Sequence, residues 1–170
     1  MADWQDIVHQ HSPLVWRTAY RILGNSEDAA DCFQDAFLTA MLLSRRESVK
    51  NWPAMLRQLT TRRALDRLRQ RCAERKRTEP MSSLNEIPSE SPGPERRLEE
   101  EELLVELRRA LVQIPEQQAE VFCLHCFEDL DYEDIAEQLA MKSATVRVLF
   151  HRARERLRDL LAILVTDTNK

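Results

Sequence analysis

From Trp4 to Leu23 apolar residues recur at the three- and four-residue spacing of an amphipathic helix, and Gly24 closes the segment. Ser26 is placed to cap the next helix, with Glu27 and Asp28 favourable in its first turn. Along that helix Ala29, Cys32, Phe33, Ala36, Phe37, Ala40 and Met41 share one face, the expected core side. Asp28, Asp31 and Asp35 form a second stripe beside it. A third helix is expected from Trp52–Pro53, because proline suits a first helical turn. It would bury Leu56, Leu59, Leu65 and Leu68 and line up Arg63, Arg67 and Arg71 at successive turns.

The pattern breaks at "PMSSLNEIPSESPGP", which holds four of the seven prolines and cannot continue a helix. Beyond it, "EEEELLVELRRALVQI" places Leu103, Leu107, Ala110, Leu111 and Ile114 on one face, and Pro115 opens another helix. That helix is expected to bury Ala119, Phe122, Cys123, Cys126 and Phe127. Asp131 then caps a short helix with Ile135, Ala136 and Leu139, and Met141–Lys142–Ser143 separate it from a long last helix. In the last helix Val146, Leu149, Phe150, Ala153, Leu157, Leu160, Leu161 and Leu164 form the core stripe. A short helix, a tight turn and a longer basic helix predict a helix-turn-helix. The fold expected is all-α: two small helical domains, 1–79 and 96–170, joined by a flexible linker over 80–95, the C-terminal one a helix-turn-helix.

Composition sharpens this picture in two places. Only two glycines, Gly24 and Gly93, are too few for a hairpin-rich protein. The net charge of −4 conceals two basic islands. Arg45 to Arg77 holds 12 basic and 3 acidic residues, a net of +9, and Met141 to Arg158 holds 6 and 1, a net of +5. Clusters of this kind point to nucleic acid more than the average charge does. In the second island Arg147, His151, Arg154 and Arg158 share a face, flanked by Arg152 and Arg156. The N-terminal part of such a helix enters the major groove, where Arg147 and His151 reach base edges, while later arginines lie nearer phosphate.

Two motifs, in order, carry a resemblance to a known family. "NSEDAADCFQDAFLTAM" resembles region 2, and "YEDIAEQLAMKSATVRVLFHRARERL" resembles region 4, of bacterial RNA polymerase sigma factors of the extracytoplasmic-function group, in the sigma-70 family. The resemblance covers roughly residues 4–77 and 97–164. It implies an all-helical protein without a catalytic site that directs polymerase to promoters. By this resemblance Asp28, Asp31, Gln34 and Asp35 match positions that contact core RNA polymerase. Arg62, Arg63, Arg67, Arg69 and Arg71 fall in the part that engages and opens the downstream element of promoter DNA. Thr145, Arg147, His151, Arg152 and Arg154 match the helix that reads the upstream element. An anti-sigma factor is implied as a further partner. The chain departs from the family at Met55–Leu56, in place of a tryptophan–leucine pair, and at Arg62, in place of asparagine. Ala140 and Ala144 stand at glycine positions of the turn, and Val148–Leu149 replaces a polar or basic pair. These departures point to a promoter consensus of the chain's own.

Other signals add little. "CLHC", Cys123 to Cys126, has two cysteines and a histidine but no second close pair to complete a zinc site, so core cysteines and no metal or other cofactor are expected. No nucleophile–base constellation or glycine-rich phosphate loop is present in the sequence, and an enzyme is not expected. No apolar run approaches the roughly 20 residues of a membrane span, and the start "MADWQDIVHQ" lacks the features of a secretory signal. A cytoplasmic protein with reduced thiols, not inserted in a membrane, is expected. Two rival readings share these features: a helix-turn-helix regulator that does not replace the housekeeping sigma factor, and a sigma-like decoy that binds polymerase or an inhibitor without opening DNA.

Overall fold

The structure is a computed structural model that describes residues 3–78 and 95–167. Residues 80–94 of the expected linker lie outside them, as does the side chain of Leu164. Seven helices, and no strand, make up the described residues. In the first half these are α1 (Trp4–Leu23), α2 (Ser26–Ser44) and α3 (Trp52–Thr78). In the second they are α4 (Glu95–Leu111), α5 (Glu116–Cys126), α6 (Tyr132–Leu139) and α7 (Ser143–Asp167).

Local chemistry sets the ends. Asp3 caps α1, its side chain accepting from the Gln5 N–H at 3.0 Å. Gly24 ends it at φ 74, donating its N–H to the Tyr20 carbonyl at 2.8 Å. The cap of α2 is Asn25, one residue ahead of Ser26: the Asn25 side-chain Oδ1 accepts from the Asp28 N–H at 2.8 Å. Both residue types cap well, so composition alone does not choose between them. Asn51 does the same for α3 through the Ala54 N–H at 3.0 Å, and Pro53 sits in its first turn as expected. Asp131 caps α6 by accepting from the Asp134 N–H at 2.8 Å.

Three apolar clusters hold these helices. One lies at the far end of the first half, where Ile7, Val15, Ala36, Phe37, Ala40 and Leu56 are buried beneath Trp4, Phe33 and Trp52. A second belongs to the helix-turn-helix: Val121, Leu124, Ile135, Ala136 and Val146, with Tyr132, Leu139, Leu149 and Phe150 around them. The third spans both halves. Ala19, Ile22, Leu23, Ala29, Cys32, Ala64, Leu65 and Leu68 from α1–α3 pack with Ala110, Leu111, Ile114, Ala119, Cys123, Ala153 and Leu157 from the second half. Fully burying one leucine contributes about 1.5–3 kcal/mol. Leu23, Leu68 and Leu111 are all fully enclosed there, so this shared cluster is a substantial bond between the halves.

Candidate nucleic-acid and protein interfaces

On α2 the expected carboxylate stripe divides into two. Asp31, Gln34 and Asp35 are exposed, and Leu38 and Leu42 extend the same face outward at 54% and 58% exposure. Asp28 instead points inward and is buried. Its carboxylate accepts from Arg67 Nε at 2.9 Å, Arg71 Nη1 at 2.8 Å and Asn25 Nδ2 at 3.0 Å. Burial by itself would raise its pKa, but the hydrogen bonds from Asn25, Arg67 and Arg71 outweigh that and hold the carboxyl below its ordinary value. Asp28 thus clamps α3 to the start of α2.

The five arginines singled out on α3 are not equivalent. Arg67 and Arg71 are the partners of Asp28, and Arg71 also donates to the Leu23 carbonyl at 3.2 and 3.3 Å, satisfying the end of α1. These two brace the first half. Arg63 is exposed and donates to Thr39 Oγ1 at 3.2 Å. Arg62 Nε meets Glu120 Oε1 at 2.7 Å, and Arg69 lies 3.2 Å from Asp66 and 3.5 Å from Glu116. Arg62 and Arg69 therefore face carboxylates from the second half.

The helix-turn-helix is built as the sequence predicts. Ala140 ends α6 in the left-handed region, φ 52, where an L-residue bears about 1–2 kcal/mol of strain. The Met141 N–H closes the turn onto the Ala136 carbonyl at 2.9 Å. Alanine thus takes the conformation for which glycine is better suited. Thr145, Arg147, His151, Arg152 and Arg154 all lie on the exposed side of α7, and Val146, Ala153 and Leu157 on its buried side. Arg147 is held in place by Glu133 Oε1 at 3.4 Å and by the Tyr132 ring, 5.2 Å beneath its guanidinium. His151 Nε2 is 3.3 Å from Glu155. Val148 stands 48% exposed among these polar groups.

Within "CLHC", Cys123 is enclosed in the shared cluster while Cys126 is exposed. His125 is used otherwise: its Nδ1 lies 2.7 Å from the Leu130 carbonyl, and its ring packs between Tyr132 and Phe150. Among the described residues no three His, Cys, Asp or Glu side chains gather as metal ligands. No described helix is long and apolar enough to cross a membrane. Sequence reasoning missed Glu128, whose side chain is 1% exposed and lies between the halves. Thr18 Oγ1 donates to it at 2.8 Å, with Arg57 Nε at 3.5 Å and Arg17 Nη2 at 3.8 Å. Nothing in a glutamate followed by Asp129 announces this, because its hydroxyl partner lies 110 positions earlier.

Residues 7–73 match the family model for sigma-70 region 2, and residues 104–157 match that for sigma-70, region 4. The chain is 34% identical over 162 residues to the ECF RNA polymerase sigma factor SigE of Mycolicibacterium smegmatis, covering 95% of this chain and 63% of that relative's length. It is 27% identical over 163 residues to the ECF RNA polymerase sigma factor SigW of Bacillus subtilis, covering 92% of this chain and 87% of the relative. Among solved structures it resembles the sigma factor RpoE of Bartonella quintana, determined with the anti-sigma factor NepR. That match has a TM-score of 0.56 and 21% identity, covers 96% of this chain and 99% of the other, and supports the fold alone. With region 2 over the α1–α3 half and region 4 over the helix-turn-helix, the chain belongs to the sigma-70 family of RNA polymerase sigma factors, in its extracytoplasmic-function group.

Proposed function

We propose that the chain binds core RNA polymerase and directs promoter-specific initiation, acting in the cytoplasm and contributing no catalytic step of its own. One observation carries this reading: a single chain pairs an exposed carboxylate stripe on α2 with an arginine-edged helix-turn-helix, each inside the matching sigma-70 region. Asp31, Gln34 and Asp35 form the polymerase-binding stripe, and Asp28 supports it from beneath. Residues 1–79 engage polymerase and the downstream promoter element, with Arg62, Arg63 and Arg69 as direct contacts and Arg67 and Arg71 as braces. Residues 96–170 read the upstream element through Thr145, Arg147, His151, Arg152 and Arg154. Residues 80–95 let the two halves reach separate DNA elements. An anti-sigma factor is the natural opposing partner, since it would need only to cover these same faces.

The deciding experiment is run-off transcription with purified core polymerase, this chain and a promoter library. Specific transcripts without any other sigma factor are expected. A protein that binds promoter DNA but yields no transcript is a regulator, and one that binds polymerase without opening DNA is a decoy; either result overturns the proposal.

A further inference from the structure

We propose that Tyr132 and His125 are positioning residues for promoter reading: stacked on each other, they hold the Arg147 guanidinium in the pose from which it meets a base edge. The inference rests on the assignment of Arg147 to the upstream element made above.

Three helices bring these residues together. His125 lies in the last turn of α5, Tyr132 is the first residue of α6, and Arg147 stands early in α7. The His125 Nδ1 is 2.7 Å from the Leu130 carbonyl oxygen, an atom that can only accept, so Nδ1 carries the proton and donates it. That bond fixes the plane of the imidazole. The Tyr132 ring stacks on it, 4.8 Å between centroids and 22° between planes, while Phe150 meets it edge-on at 4.5 Å. The backbone beneath is tied down as well. Asp131 caps α6 immediately before Tyr132, and the Leu130 N–H donates to the Leu124 carbonyl at 3.2 Å. The Tyr132 ring is thus set before any DNA arrives.

Arg147 Cζ sits over this ring, 5.2 Å from its centre. Among the described residues it is the one arginine placed over an aromatic ring, although Arg152 and Arg154 share the exposed side of α7. Its other contact, from Nη2 to Glu133 Oε1 at 3.4 Å, joins side chains 61% and 64% exposed, where water screens the attraction. The ring draws the cation without supplying an acceptor atom, so the N–H groups not turned to Glu133 stay available for a base edge. A free arginine can swing from a mismatched base to a nearby phosphate and recover much of its binding. One held over a ring loses that escape, and also loses less side-chain freedom when it meets the right base. The hold therefore raises selectivity more than affinity.

The test uses the full chain and a duplex that wild type selects from a randomised pool, together with every single-base variant of that duplex, read by anisotropy. Arg147→Ala first identifies the position that Arg147 reads. Tyr132→Leu should cut discrimination at that position by about three- to fivefold, the size of an exposed cation–π contact. Adding Arg147→Ala to it should give the discrimination of Arg147→Ala alone. Tyr132→Phe keeps the ring and should keep wild-type discrimination. In proton spectra of the DNA-free protein, the ring should shift the Arg147 δ-methylene protons upfield in wild type and Tyr132→Phe, and release them in Tyr132→Leu. A purely structural Tyr132 would weaken all duplexes evenly and add its loss to that of Arg147→Ala. That result, or Tyr132→Phe behaving as leucine, overturns the proposal. Should Tyr132→Leu lose helicity by circular dichroism, His125→Leu leaves the tyrosine in place and must lower discrimination at the same position by at least about twofold; unchanged discrimination overturns the proposal. The two readings fail differently. If Arg147→Ala alters no position, the base-reading assignment falls and the positioning with it. If it flattens one position and Tyr132→Leu does not, the positioning alone falls.

Discussion

Replacing Asp28 by asparagine removes one charge and almost no volume, so it isolates what the carboxylate does. Two arginines donate to it, at 2.9 and 2.8 Å, and a charge-assisted hydrogen bond contributes about 1.5–3 kcal/mol when well shielded. Here the arginine side chains keep 35% and 23% of their exposure, so water screens part of that gain. Asparagine also turns either its oxygen or its NH2 toward each guanidinium, and can satisfy only one of them well. A loss of about 2–3 kcal/mol is expected at pH 7. For a chain of this length that lowers the melting midpoint by roughly 4–12 °C. The pH dependence is signed by the depressed pKa: the carboxylate's contribution is fully present above the unfolded value of 3.8 and is lost as pH falls through the lower folded value. Urea unfolding of wild type and variant, repeated from pH 7 downward, should show the difference shrinking once the pH passes below that range. A difference under about 0.5 kcal/mol at pH 7, or one that persists unchanged in acid, refutes the clamp.

Other predictions follow from the exposed groups. Asp31→Lys/Asp35→Lys should weaken core-polymerase binding by at least about tenfold with an unchanged melting midpoint, both read on the same samples. Arg147→Ala should cost about 1–3 kcal/mol and relax preference at one upstream position, whereas Arg158→Ala should lower affinity evenly or reduce the salt slope by about one unit; a binding scan over single-base variants tells them apart. Burial raises the thiol pKa of Cys32 to about 12 and that of Cys123 further still. Both should resist a thiol reagent at pH 8 until the chain is unfolded; burial raises the Cys126 thiol as well, but its exposed side chain should react first in the native protein, as mass mapping of the labelled peptides will show.

The helices were legible because each buries one stripe and ends on a residue with a definite conformational preference. Trp4–Leu23 is the clearest instance, stopped by Gly24, and the Asp131 cap with the following turn is another. Reading failed where a helix has two buried sides. On α5, Ala119 and Cys123 enter the shared cluster while Val121 and Leu124 face the helix-turn-helix, and Cys126, expected inside, is exposed. Leu103 of α4 also matched the apolar period but stands 54% exposed, because the packed face begins nearer Leu107. At the candidate sites, motif spacing placed the α7 residues correctly on an open face. It could not tell Asp28 from Asp31 and Asp35. At about 100° per residue Asp31 lies only about 60° and Asp35 about 20° around the helix from Asp28, and only the arrival of Arg67 and Arg71 from α3 decides which carboxylate is inside. Thr18 and Glu128, and Arg62 and Glu120, are pairs made by tertiary packing, and no local pattern encodes them.

The contact between Gly24 and Arg108 bears on how the protein is made. A Cβ at Gly24 would fall 2.5 Å from the Arg108 guanidinium carbon, so the end of α1 is shaped to receive a side chain from α4. That arginine caps carbonyls as many as 87 positions earlier in the chain. At a synthesis rate of about 5–20 residues per second, α1 waits roughly 4–17 s for it. During that interval the nascent first half carries an unfinished helix end and the bare apolar face of Ile22, Leu23, Leu65 and Leu68. The ribosome therefore releases a chain whose first half is helical early but whose surface becomes inert only after the second half has emerged, and co-translational binding of a chaperone or of polymerase would fall within that window.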